Sequence, residues 1–78
     1  MKELIEYISA SLVDDPTQVR VSQFRRGSNI NIQLQVAQED MGRIIGKGGR
    51  VAEAMRVLLR VAAAQEGKSA KLDILEPQ

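Results

Sequence analysis

Glu39-Asp40-Met41-Gly42-Arg43-Ile44-Ile45-Gly46-Lys47-Gly48-Gly49-Arg50 is the stretch that decides how this chain is read. Helical patterning runs into it and out of it, so two helices meet at a glycine turn with almost no side-chain bulk. Gly46 is suited to the left-handed backbone that ends the first helix. Gly48 and Gly49 leave the amides at the start of the second helix bare. Such amides are unpaired donors at the positive end of a helix dipole, and they favour an anion. Lys47, Arg43 and Arg50 add positive charge around them. The chemistry suits a place where a nucleic-acid backbone lies close to protein backbone.

Outward from the turn, the periodicities assign the remaining elements. Leu4, Ile5, Ile8 and Leu12 follow helical spacing and predict a helix from about Lys2 to Val13. Asp14-Asp15-Pro16 ends it, because proline disfavours helix at the residue before it. Val19 and Val21 alternate with polar neighbours as a first strand, while Phe24 falls off that alternation and suggests a bulge or twist near Gln23. Arg25 to Asn29 reads as a turn. Ile30, Ile32, Leu34 and Val36 alternate with polar residues as a half-buried second strand, paired with the first in a hairpin. Glu39 and Asp40 suit the first turn of a short helix ending near Ile45. A longer helix runs from about Arg50 to Glu66, with Gly67 as its stop, and Lys71 to Ile74 form a third strand. The order is α-β-β-α-α-β, with no internal repeat, linker or low-complexity tract.

The helix from Arg50 is unusually apolar. One stripe holds Ala52, Met55, Leu59 and Ala62. A second holds Ala54, Leu58 and Val61, with Val57 at its edge. A helix packed on one sheet needs an apolar stripe of roughly 100°, and this one is nearly twice as wide. Either the other helices cover the surplus, or a partner helix or ligand groove does.

Seventy-eight residues, 44% of them hydrophobic, make one small domain spanning 1–78 with a marginal core, and dimerisation is a common supplement at this size. Cysteine and histidine are both absent. That excludes disulfides, thiolate metal sites, the usual zinc ligands and the commonest general base. The N-terminus does not read as a signal peptide and no segment suits a bilayer, so a soluble cytoplasmic protein is expected. Net charge is only +1, but its distribution is uneven. Met1 to Asp15 sets Lys2 against Glu3, Glu6, Asp14 and Asp15. Arg43 to Arg60 sets Arg43, Lys47, Arg50, Arg56 and Arg60 against Glu53. The positive charge therefore gathers on the glycine turn and the helix after it, although a solvated helix face would also explain the helical arginines.

Ile44-Ile45-Gly46-Lys47-Gly48-Gly49 resembles the I-G-x-x-G signature of KH domains, whose GXXG loop clamps about four single-stranded nucleotides. The α-β-β-α-α-β order resembles the type II arrangement, an α+β fold with a three-stranded sheet covered by helices on one face. The resemblance covers the whole chain, and is similar to the small single-KH bacterial proteins of the KhpA (YlqC-like) family. It implies RNA contacts from Arg43, Ile44, Ile45, Gly46, Lys47, Gly48, Gly49 and Arg50, with Ile44 and Ile45 contributing to an apolar floor and one of them facing the core instead. Gly42 would lie with Arg43 on the rim. Lys71 to Ile74 would form the far wall, with Gln65 to Ser69 as the variable loop. Bases would rest on aliphatic side chains, in keeping with a chain whose aromatics are Tyr7 and Phe24. The family resemblance further implies a small RNA chaperone or post-transcriptional regulator linked to cell shape. Such proteins act as a homodimer or with a larger Jag/KhpB-type KH partner, without a cofactor. On this chain a dimer contact would be built on Ala54, Leu58 and Val61.

Three rival readings compete with this one. A phosphate-binding loop of a nucleotide hydrolase fails because Gly42 to Gly46 is one residue short of the motif and Gly48 replaces the magnesium-holding Ser/Thr. A helix-turn-helix DNA reader would present Arg50, Arg56 and Arg60 to a major groove, but leaves the extra glycines and the apolar helix unexplained. A dimerisation module without nucleic acid would use the helix alone. An enzyme is not expected, since the serines have no evident base and Glu39 and Asp40 point apart on a helix.

Overall fold

The computed structural model describes residues 1–75, the side chain of Lys47 excepted. Its organising element is β2 (Asn29–Gln35), the central strand of a three-stranded sheet ordered β1-β2-β3. Ile30, Ile32 and Leu34, with Val36 just beyond the strand, are all buried. The intervening Asn31, Gln33 and Gln35 point to the opposite face, as the two-residue period of a strand requires. β1 (Arg20–Arg26) pairs with β2 antiparallel across a tight turn at Gly27-Ser28, where Gly27 has φ 61°. A positive φ at the first position of a two-residue hairpin turn is the conformation glycine adopts at least cost.

The register of this hairpin is uninterrupted, from Arg20 opposite Gln35 to Arg26 opposite Asn29. The bulge suggested by Phe24 is therefore absent. Counting by twos from Val21 puts Phe24 on the outer face of the sheet, opposite Asn31, and 55% exposed. The ladder kept its pairing and left the ring outside.

β3 (Ser69–Leu75) pairs parallel with β2 and forms the other edge. Parallel neighbours need a long crossover, here supplied by α2 (Met41–Gln65). Positive φ values at Gly46 (35°), Gly48 (72°) and Gly49 (88°) divide that run into a leading segment, 41–45, and a trailing one, 50–65. The α-β-β-α-α-β order is thus the order observed. α1 (Lys2–Leu12) packs beside α2 on the same face of the sheet, with Ile5 fully buried. Ile5, Ile32, Leu34, Ile44, Met55 and Leu59 fill the space between the layers. Each contributes about 1.5–3 kcal/mol of burial.

The trailing segment ends as anticipated. Lys68 N–H donates to Ala63 O at 2.9 Å and Gly67 N–H to Ala64 O at 3.0 Å, with Gly67 at φ 69°. That is the paired reverse bonding of a glycine-terminated helix. The surplus apolar stripe is not covered by the other helices. Ala54, Val57, Leu58 and Val61 are all exposed, Leu58 by 50% and Val61 by 54%.

Candidate functional site

The glycine turn lies at the junction of the two segments of α2. A Cβ on Gly46 would come within 2.9 Å of Val51 Cγ2, so this position is closed to side chains by packing as well as by its φ. Gly48 and Gly49 are different. A Cβ at either would meet nothing within 4 Å, so the turn presents bare backbone to open space. Gly46 and Gly49 are partly buried, and Gly48 and Arg50 are exposed. The backbone of Lys47 lies between them, while its side chain is outside the described residues.

The two isoleucines before the turn part company. Ile44 is fully buried in the core, and Ile45 is 45% exposed. Adjacent helical residues point about 100° apart, so only one can face the sheet. Ile44, placed by the resemblance among the contact residues, has no surface to offer. Ile45 stands at the surface beside the turn.

Arg43 is held from two sides. Its Nη2 donates to Asp14 Oδ2 at 2.8 Å and its Nε lies 3.2 Å from Asp40 Oδ1. Asp40 is a buried carboxylate, and it also accepts the backbone N–H groups of Asp14 (3.1 Å) and Asp15 (3.2 Å). Glu39 and Asp40 were expected to serve the first turn of a helix. Instead Gln38–Asp40 form a 3-10 turn ahead of α2, and the Asp40 side chain makes no capping bond to α2. It ties the leading segment to the connection between α1 and β1. The Asp14 N–H chiefly holds its carboxyl below the usual range; burial opposes this, and the Asp15 N–H and Arg43 add to the lowering. Nothing in the sequence pattern marked this contact, because its partners are 25 and 26 residues apart.

Beyond the turn, a groove of about 420 Å³ runs between the trailing segment and edge strand β3. Glu53, Arg56 and Arg60 line one side, and Ala70 to Asp73 the other. Arg56 Nε donates to Leu72 O at 3.4 Å and Arg60 Nη2 to Glu53 Oε1 at 2.9 Å. A recognition helix would turn these arginines away from the protein. Arg56 instead reaches the sheet edge, while Arg50 and Arg60 stay exposed. Of the wall anticipated at Lys71 to Ile74, Lys71, Leu72 and Asp73 line this groove at the edge of β3, and Ile74 does not. Among the described residues no helix is long and apolar enough to cross a membrane, and no group of three or more His, Cys, Asp or Glu is placed to hold a metal ion.

Comparison with known proteins agrees with this geometry. A family model described as KhpA/KhpB, KH domain, matches residues 2–74. The RNA-binding protein KhpA of Clostridium acetobutylicum is 45% identical over 75 residues, covering 96% of this chain and 100% of that protein. The RNA-binding protein KhpA of Halalkalibacterium halodurans is 43% identical over 76 residues, covering 97% of this chain and all of that protein. Among solved structures, Era from Aquifex aeolicus bound to GDP and AlF4- superposes with a TM-score of 0.66 at 18% identity, over 96% of this chain and 29% of that one. Era in complex with nucleotides 1506–1542 of 16S ribosomal RNA superposes with a TM-score of 0.57 at 17% identity, again over 29% of its length. These last two likenesses concern the fold alone.

Proposed function

The chain belongs to the KhpA/KhpB KH-domain family, and from that premise we propose that it binds single-stranded RNA by clamping the strand at the Gly46–Gly49 turn. The observation that carries this reading is the open backbone at Gly48 and Gly49, with Arg50 exposed beside it. Phosphates lie over the turn, neutralised by Arg50 and Lys47. A base rests on Ile45, and the strand continues into the groove between the trailing helix and β3. Ile44 supports the floor from inside. Arg43, already engaged by Asp14 and Asp40, acts on the rim by fixing the leading segment rather than as a freely swinging cation. The relatives named as RNA-binding proteins support the ligand class.

The same proposal extends to assembly. Leu58 and Val61, flanked by Ala54, form an exposed apolar stripe on the helix face turned away from the sheet. It buries itself against a second copy of the chain, or against the KH domain of a KhpB-type partner. The protein acts in the cytoplasm as a small RNA chaperone or post-transcriptional regulator, without catalytic turnover. Fluorescence anisotropy on matched single strands and duplexes tests the ligand form. A narrow clamp reads splayed bases, so single strands bind at about micromolar Kd, with a modest salt dependence reflecting two to four neutralised phosphates. Tighter binding to the duplex would refute the clamp.

A further inference from the structure

Phe24, Asn31 and Lys71 stand in one register row across the three strands, on the face of the sheet that no helix covers. We infer that this row is a second RNA-contacting surface, on which Phe24 stacks a base of a strand leaving the helix–β3 groove. The inference rests on the RNA-binding reading above.

Exposure, cavity, continuity and charge point the same way. Phe24 is 55% exposed at an outward position in a regular ladder, so its ring is open to a ligand. It lines a cavity of about 270 Å³ with Arg26, Asn31 and Lys71. Ala70 and Lys71 line both this cavity and the groove beside the trailing helix. The two surfaces therefore meet over edge strand β3, and a strand following the groove can pass onto the outer face without a gap. Charge favours an anionic occupant, since Arg20, Arg26 and Lys71 share this face with Asp73 as the sole acid among the described residues.

The chemistry is that of a base-stacking platform. Neighbouring strands are about 4.8 Å apart, so Phe24 and Lys71 lie about 10 Å from each other. That spacing lets a base lie on the ring while the ammonium meets a phosphate. Open sheets that bind RNA use aromatic rings in this way, and stacking on an aromatic ring tolerates any base.

The test uses the full chain, a tetranucleotide that fills only the clamp, and a dodecanucleotide that reaches both surfaces. Phe24→Ala should weaken the dodecanucleotide about tenfold, within the range known for loss of one stacked base, and leave the tetranucleotide unchanged. The chain has no tryptophan, so Phe24→Trp adds a single indole reporter. Its fluorescence should be quenched by the dodecanucleotide and not by the tetranucleotide. If the wild type ignores the tetranucleotide, the clamp reading fails, and quenching by the dodecanucleotide still decides the sheet. An unquenched indole, or a Phe24→Ala variant that holds the dodecanucleotide as tightly as wild type, overturns the inference and returns this face to solvent or to a protein contact.

Discussion

Replacing Lys47 and Gly48 together by Asp places two carboxylates where the clamp is proposed to hold phosphate. The structural cost can be bounded. Gly48 has φ 72° and an added Cβ would meet nothing within 4 Å. The penalty is therefore the left-handed backbone alone, about 1 kcal/mol, and aspartate tolerates that region better than most residues. For a domain of this size that lowers Tm by about 4–8 °C. The binding cost is larger. One ammonium is lost and two carboxylates are gained. A unit charge about 5 Å from a phosphate is worth about 0.8 kcal/mol in bulk water and about 3 kcal/mol at an effective dielectric near 20. The turn is open to solvent, so about 1 kcal/mol per charge applies, or about 3 kcal/mol in all. That is about 150-fold in affinity, enough to move a micromolar complex beyond about 100 μM. Anisotropy titration and thermal melting on the same samples read both quantities. Gly48→Ala is the control, adding a methyl group without charge and weakening binding far less. A double variant that melts as expected yet loses less than about threefold in affinity refutes the glycine turn as the contact.

Three further outcomes follow from the same structure. Leu58→Asp should convert a homodimer to a monomer: half of a leucine's burial is worth about 1 kcal/mol per copy, and two unpaired carboxylates facing each other across a two-fold add to the loss. Light scattering over a concentration series reads this; a wild type that stays monomeric at high concentration removes the dimer, and a variant that unfolds moves Leu58 into the core. Gly46→Ala should be more destabilising than Gly48→Ala, because its Cβ meets Val51 Cγ2 at 2.9 Å as well as straining φ; overpacking costs about 1–3 kcal/mol, and equal melting temperatures would show that Val51 moves freely. Asp40→Asn should destabilise the fold at neutral pH and flatten its acid branch. The folded-state pKa of Asp40 is lowered by the Asp14 N–H first of all, so its stabilisation is fully present above the unfolded carboxylate value of about 3.9 and is lost as pH falls through the lower folded value. Acid unfolding that is the same in wild type and variant would remove Asp40 from that transition.

The parts legible in the sequence are those whose cause is local. Ile30, Ile32, Leu34 and Val36 alternate because one face of a central strand is buried, and the structure buries all four. Gly67 ends a helix because a left-handed residue is needed there, and it has the φ to match. The two stripes of the trailing helix follow from 3.6-residue geometry, and only contact with the sheet decides that Met55 and Leu59 go in while Leu58 and Val61 stay out. Where the cause is distant, the pattern was silent. Ile44 and Ile45 are chemically alike, so their parting depends on how the leading segment is rotated against the core. That rotation is held by the bonds from Asp40 to the backbone at Asp14 and Asp15 and by Arg43 between Asp40 and Asp14, residues that share no motif. Phe24 shows the opposite error, where a true local signal was given the wrong cause. An aromatic out of phase with its strand reads as a bulge if apolar residues are assumed to seek the core. The uninterrupted register makes the phase real and the assumption wrong. A ring left outward in a regular ladder, with a lysine in its own row, is where the stacked base proposed above would lie, and it needs no fault in the strand.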